Sequence, residues 1–352
     1  MTMKNLIISD LHLTDSPTEA YRWNVFKLAQ ENIIKYQCEQ LLILGDVFDK
    51  KDRHPSSIVN QLTTVLAEIT KQVPIIILKG NHDYINPDDP FLQFLKHLPK
   101  VTWINEPTIH PINGKTVAWL PHTKTPIETW EPFLAKYKLD FLFMHQSVIG
   151  SKTSSDFEIN NALDLSWLEE RAKCPIISGD IHVPQTIRTL TYVGTQHPVA
   201  FGDDYNYRML LIDFGMEIKV ESIPIESMKR HSITIMDMSE FRRLHDKGVL
   251  KTGDQIKVKI TLDETNLGEW NALKNQAVAW CESHGIHVAD VKLEKLQFGN
   301  TLKTTQVQDT YAPVHPQAAF DRYIENGLDL KIVNVGKLIL NEVLNENGTF
   351  NS

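Results

Sequence analysis

Val73-Pro74-Ile75-Ile76-Ile77-Leu78-Lys79-Gly80-Asn81-His82-Asp83 is the stretch from which the rest of the chain can be placed. An apolar run from Val73 to Leu78 reads as a buried strand. It closes in a loop before the helix-breaking pair Asn86-Pro87. Gly80 lets the backbone turn there. Asn81, His82 and Asp83 then arrive at a strand's carboxyl end as side chains able to ligate metal or move protons.

Working outward, the same design repeats. Leu6-Ile7-Ile8-Ser9 opens into Asp10-Leu11-His12, and Leu41 to Leu44 into Gly45-Asp46-Val47-Phe48-Asp49. Phe141 to Met144 delivers His145, and Pro175-Ile176-Ile177-Ser178 delivers Gly179-Asp180-Ile181-His182. Between the first three strands, helical spacing recurs over Tyr21 to Cys38 and again after Ser56-Ser57, at Ile58, Leu62, Val65, Leu66 and Ile69. Alternating strands and helices imply parallel strands joined by right-handed crossovers, an α/β class in which functional groups collect at the carboxyl ends. Phe91 to Leu98 reads as a short amphipathic helix, and Ser147 to Asp156 as a mobile polar loop beside the site. Thr116 to Leu120, Thr191 to Gly194 and Met209 to Asp213 read as further strands.

Length and composition bound the reading. A chain of 352 residues favours two domains or more, and the pattern loosens near Pro224 to Arg230, where a boundary is placed. Beyond it, Ile256 to Leu262, Leu267 to Cys281 and His287 to Leu296 read as strand, helix and strand of a small α+β module. The expected domains are 1–224, 225–300, and a linker with a last helix over 301–352. No apolar run is long enough to cross a bilayer, and the first residues lead straight into a strand, so no membrane role and a cytoplasmic location are expected. Three scattered cysteines give neither a disulfide framework nor a zinc knuckle. A net charge of −8 is the wrong sign for a nucleic-acid binder as a whole, although metal ions or a basic partner can attract phosphate locally.

If the strand-end clusters meet, Asp10, Asp46 and Asp180 supply hard oxygens, Asn81 a carbonyl, and His12, His145 and His182 imidazole nitrogens. That set exceeds what one ion requires. Two divalent ions sharing a carboxylate fit it better, and such a pair clamps a phosphoryl oxygen and generates hydroxide at neutral pH.

Asp10-x-His12, Gly45-Asp46-x-x-Asp49, Gly80-Asn81-His82-Asp83, His145 and Gly179-x-x-His182 together resemble the five signature blocks of the calcineurin-like metallophosphoesterases, over residues 4 to 215. Within that superfamily the chain is most similar to DNA repair exonucleases of the SbcD type, phage recombination nucleases included. Gly45-Asp46-Val47-Phe48-Asp49, Tyr192-Val193-Gly194-Thr195 and Phe201-Gly202-Asp203 carry that likeness. The resemblance implies a layered β-sandwich core flanked by helices, with a smaller α+β capping domain. It implies one metal on Asp10, His12, Asp46 and His182, and a second on Asp46, Asn81, His145 and Asp180, most commonly manganese. It makes His82 the general acid or charge stabiliser with Asp83 orienting it from behind, and Asp49 a supporting residue outside the ligand set. DNA, an SMC-like ATPase of the SbcC kind and a second copy of the chain are the implied partners, the ATPase meeting the helix near Val335 to Leu344 and the second copy the helices near 56 to 98. One position departs from the family pattern: Asp180 stands where histidine is usual. A phosphatase for small esters and an inactive DNA-binding scaffold are the rival functions.

Overall fold

The structure is a computed structural model that describes residues 3–154, 157–203, 205–263 and 266–295. The chain begins with β1 (Lys4–Ile8), a 3-10 turn (Pro17–Trp23) and α1 (Asn24–Tyr36), then β2 (Gln40–Ile43), α2 (Ser56–Ile69), β3 (Ile75–Leu78), a 3-10 helix (Phe91–His97) and β4 (Val101–Ile104). A second series follows: β5 (Thr108–Ile109), β6 (Val117–Leu120), α3 (Pro126–Leu134), β7 (Phe141–His145), α4 (Leu165–Ala172), β8 (Ile176–Gly179), β9 (Gln185–Ile187) and β10 (Leu190–Tyr192). The chain then returns to the first sheet with β11 (Arg208–Phe214) and β12 (Ile218–Pro224). The sheet orders are β12-β11-β1-β2-β3-β4 and β5-β6-β7-β8-β10-β9.

Residues alternate along each central strand between two apolar environments. Leu6, Ile8, Leu41, Ile43, Ile75 and Ile77 face α1 and α2, while Ile7, Leu42, Leu44, Ile76 and Leu78 enter the layer between the sheets. The second sheet answers with Val117, Trp119, Phe141, Phe143 and Ile177 into that layer, and with Ala118, Leu120, Leu142, Met144 and Ile176 toward α3 and α4. Strands apolar on both faces belong in the interior of a layered fold. The expected α/β sandwich flanked by helices is what the chain forms. Its inter-sheet layer packs Trp119 against Phe143 at 4.5 Å and Phe141 against Phe214 at 5.5 Å between ring centres.

A third sheet, β13 (Arg230–Ile235), β14 (Gln255–Leu262) and β15 (His287–Lys295), is parallel throughout and packs on α5 (Ser239–Asp246) and α6 (Trp270–Ser283). Its first strand and α5 were not foreseen. His231-Ser232-Ile233-Thr234 offers only a weak alternation, and α5 carries few apolar residues besides Phe241. This sheet joins the core through Arg230 Nη1, which donates to Glu19 Oε1 (3.1 Å) and to the Val199 carbonyl (2.9 Å), and through Gln255 Nε2, which donates to the Thr18 carbonyl. The linker and helix expected beyond residue 300 lie outside the described residues. All three cysteines are buried and free. Among the described residues no helix is long and apolar enough to cross a membrane.

Candidate metal centre

The loops after β1 and β2 run on as a ladder once the strands have ended. Asp10 N–H donates to the Gly45 carbonyl (3.1 Å), His12 N–H to that of Asp46 (2.9 Å) and Leu13 N–H to that of Val47 (2.9 Å). Asp10, His12 and Asp46 take left-handed backbone angles (φ 55°, 43° and 53°), and Asp180 does the same (φ 83°). Non-glycine residues rarely hold that conformation, and where they gather they commonly mark a functional site.

Gly80 sits where no side chain fits. A Cβ there would lie 2.4 Å from Asp46 N and 2.2 Å from Asp46 Oδ1. The Asp83 carboxylate fastens the two loops by accepting from Gly80 N–H (2.7 Å), Asp46 N–H (3.0 Å) and Val47 N–H (2.9 Å). This corrects the expectation that Asp83 orients His82. Its oxygens are spent on backbone donors, and it is the carbonyl of Asp49 that His82 Nδ1–H bonds, at 2.6 Å.

The second sheet closes the site from the opposite side. His145 donates its Nδ1–H to the Leu44 carbonyl (2.6 Å), which turns Nε2 toward Asn81 Oδ1 (3.1 Å), Asp46 Oδ1 (3.4 Å), Asp180 Oδ1 (3.8 Å) and Asp10 Oδ1 (4.0 Å). His182 Nε2 meets His12 Nε2 at 3.0 Å, and the Asp180 N–H donates to Asp10 Oδ1 at 2.9 Å. Three sets of donor atoms lie mutually within 4.8 Å: Asp10 with His12 and His182, His12 with Asp46 and His82, and Asp10 with Asp46 and His145. Asn81 and Asp180 adjoin the last set. Asp49 borders the site, its Oδ1 3.8 Å from His12 Nδ1.

Hydrogen bonding within the protein does not account for this arrangement. Asp10 Oδ2 and His12 Nδ1 are buried without partners, and His12 and His182 point ring nitrogens at each other. The Asn81 amide oxygen faces acceptors only, and turning the amide over would let it donate to both Asp46 oxygens. Acceptors converging on acceptors is what a cation resolves, and a histidine whose other nitrogen is fixed by a backbone carbonyl is preset as a ligand. The donor set, mixed oxygen and nitrogen around shared carboxylates, fits hard or borderline divalent ions.

Burial and like charge set the proton affinities. Burial pushes Asp10 up to about 6, and burial with the neighbouring Asp46 charge pushes Asp83 up to about 6. Burial also acts to raise Asp46, but the His145 imidazole outweighs it and holds that carboxyl well below its ordinary range. Burial works against charge on His145 as well, and there the Asp46 carboxylate prevails and raises it.

Several neighbours were missed from the sequence. Arg22, buried, donates to the His12 carbonyl (2.5 Å), to Asp49 Oδ1 (3.1 Å) and to Glu19 Oε1 (2.9 Å), the same oxygen that Arg230 reaches. It falls inside the Tyr21 to Cys38 stretch read as a helix, where nothing in the spacing sets it apart from an exposed arginine. His122 lies past the end of β6, and its ring is edge-to-face with His145 at 6.3 Å. It follows an apolar run and Pro121, so the strand-end rule that found His145 applies equally to it. The loop after His145 is tied down where described: Ser151 is buried and its Oγ donates to the Val148 carbonyl, while Val148 bridges to Leu163.

A two-sheet α/β scaffold with this cluster at its strand ends defines a class of metal-dependent phosphoesterase. Residues 3–219 match the calcineurin-like phosphoesterase family, and the chain belongs to it. It is 24% identical over 254 residues to "Putative phosphoesterase 078R" of Invertebrate iridescent virus 3, covering 68% of this chain and 70% of that one. It is 24% identical over 268 residues to "Putative phosphoesterase 244L" of Invertebrate iridescent virus 6, covering 69% and 86%. Among solved structures it is similar to the nuclease MPE of Pseudomonas putida, with 14% identity, a TM-score of 0.31, and 63% of this chain and 87% of that one covered.

Proposed function

We propose that the chain is a metal-dependent DNA nuclease, the nuclease subunit of an SbcCD-like repair or recombination complex. The observation that carries the phosphodiester chemistry is the convergence of Asp10, His12, Asp46, Asn81, His145 and His182 from both sheets on one site. Asp10, His12, Asp46 and His182 would hold one divalent ion, and Asp46, Asn81, His145 and Asp180 the other, with Mn²⁺ the expected metal and Mg²⁺ the alternative. When bound, such ions polarise the phosphoryl group and lower the pKa of water. Asp46 lies between the two ligand groups, 3.6 Å from His12 Nε2 and 3.4 Å from His145 Nε2, as a bridging carboxylate must. His82 is partly exposed at the rim, and its Nδ1–H, held by the Asp49 carbonyl, leaves Nε2 to exchange a proton with the departing ester oxygen. Asp83 has the supporting task of keeping the Asp46 and Asn81 loops in register.

DNA as substrate rests on the likeness of the signature blocks to SbcD-type nucleases. Residues 225–300 are read as a capping domain that helps choose DNA geometry, and 301–352 as the docking segment for an SMC-like ATPase in the cytoplasm. The 56–98 region is read as the contact for a second copy of the chain. The net charge of −8 favours a second reading, a phosphatase or phosphodiesterase for small esters.

Digestion of end-labelled duplex and single-stranded DNA, beside p-nitrophenyl phosphate mono- and diesters in Mn²⁺, separates the readings. The nuclease reading expects DNA cleavage that Asp46→Ala reduces by more than about 100-fold, beyond the usual cost of a residue that merely supports a ligand. Turnover of nitrophenyl esters with DNA left intact would establish the small-ester reading instead. DNA binding without any cleavage, unchanged in Asp46→Ala, would leave only the scaffold.

A further inference from the structure

Beside the Asn81–His145 side of the cluster stands a pair that takes no part in the proposed ligation. The Tyr84 hydroxyl lies 2.9 Å from His122 Nδ1. Tyr84 is only 5% exposed, and among the described residues its hydroxyl has no other hydrogen-bond partner. A buried phenol keeps its hydrogen on an acceptor, and among the described residues the acceptor within reach is that nitrogen. Tyr84 therefore donates, Nδ1 is the unprotonated nitrogen, and the neutral ring must carry its hydrogen on Nε2. Among the described residues Nε2 has no protein partner and is not one of the buried unpartnered atoms, which leaves it open to solvent.

The pair is rigidly seated. His122 N–H donates to the Lys79 carbonyl (3.0 Å), tying the end of β6 to the loop that carries Asn81. The Lys79 ammonium lies over the Tyr84 ring, 4.5 Å from its centre, and fixes it from the other side.

Resting on the phosphoesterase reading of the site, we propose that His122 is a specificity-determining residue. It would donate Nε2–H to an oxygen of the substrate's second ester arm, so that the site prefers phosphodiesters to phosphomonoesters. The ring stands next to His145 and outside the ligand groups, so it is placed for a substituent of the reacting phosphate and not for the phosphorus itself. Tyr84 is the positioning residue that selects the tautomer.

Two measurements test this. Long-range ¹H–¹⁵N correlation spectra of the metal-free protein should show His122 as the Nε2–H tautomer, and Tyr84→Phe should relax it toward a mixture. With nitrophenyl mono- and diesters in Mn²⁺, His122→Ala should lower kcat/KM for the diester about tenfold more than for the monoester, the worth of one good hydrogen bond. His122→Gln, whose amide reaches the Nε2 position, should recover most of the preference, and Tyr84→Phe should lose part of it. An Nδ1–H tautomer, or equal losses on both esters, overturns the inference while hydrolysis itself persists. Wild-type protein that hydrolyses neither these esters nor DNA sinks the proposed function, and the specificity role falls with it.

Discussion

The first sheet delivers Asp10, His12, Asp46, Asn81 and His82 from three loops that are bonded to one another, by the ladder between the β1 and β2 loops and by the three N–H groups gathered on Asp83. The second sheet delivers His145 from the end of a strand, and Asp180 and His182 from a loop, and all three meet the first sheet: His145 Nδ1–H donates to the Leu44 carbonyl, Asp180 N–H to Asp10 Oδ1, and His182 lies against His12, while the His182 carbonyl also accepts from Thr195 N–H. One side of the site is thus braced by its own backbone, and the other is positioned by what it meets. Damage to the braced side should therefore displace several ligands together, and damage to the second side only the residue that is altered.

Gly80→Ala is the strongest way to break the contrast. The added methyl would strike Asp46 N, a backbone atom that moves only if the whole braced assembly moves. Overpacking of this kind costs about 1–3 kcal/mol, and a displacement of about 1 Å at the site costs on the order of 100-fold in rate. The expected result is a Tm lower by several degrees, at about 2–4 °C per kcal/mol, together with loss of at least that factor in kcat on any ester the wild type cleaves. Near-normal kcat would mean that the loops yield easily and that the bracing is not what holds Asp46.

Asp180→His probes the other side at smaller cost. Asp180 keeps its backbone bond to Asp10 whatever its side chain, so the change alters ligand chemistry more than geometry. An imidazole removes one negative charge and favours borderline ions such as Zn²⁺, whereas carboxylate suits Mn²⁺ and Mg²⁺. Calorimetric titration should show the Zn²⁺ to Mn²⁺ affinity ratio rising about tenfold, roughly one pKa unit's worth of differential interaction. An unchanged ratio would mean that Asp180 does not ligate. That outcome fits its position next to, but not within, the three tight donor sets.

The braced side was legible in sequence because its logic is local. A short apolar strand followed at once by polar residues announces a strand end, and Asp10, Asp46 and Asn81 are reached that way, as is His145 on the second side. That the strands form two facing sheets was not readable from alternation of strand and helix, which is the same within either sheet. It came only with the family resemblance. What stayed hidden is what depends on contacts distant in sequence. Asp83 looks like a partner of its neighbour His82 until the fold places Asp46 and Val47, 37 and 36 residues away, against its oxygens. Arg22 looks like an exposed arginine until Glu19, Asp49 and the His12 carbonyl surround it. Propensity foresaw α2, although it begins at Ser56 with Pro55 at its N-cap and not after a serine cap, but it did not foresee α5, which rests on the single buried Phe241.

His197 gives the finest test, because it lies on the segment that carries the chain from the second sheet back to the first and serves neither ligand group. It is 3% exposed, and burial, with the Arg22 charge adding to it, lowers it to about 3. A histidine kept neutral in the fold but free to ionise when unfolded makes the unfolded chain the better proton acceptor between pH 3 and 6.5. Stability on its account is therefore intact above 6.5 and declines as the pH falls. His197→Phe removes that penalty and keeps an aromatic ring against Tyr21, 5.9 Å away in the native pair. Asp10, Asp83 and the other shifted groups are common to both proteins and cancel in the difference. At pH 7 the larger ring should leave the variant about 1–3 kcal/mol less stable, as overpacking does. By pH 5.5 the variant should have gained about 1 kcal/mol relative to wild type, at no more than about 1.4 kcal/mol per pH unit. Urea midpoints at the two pH values measure this, and a difference that stays flat would place a proton partner on His197 and join it to the braced side of the site.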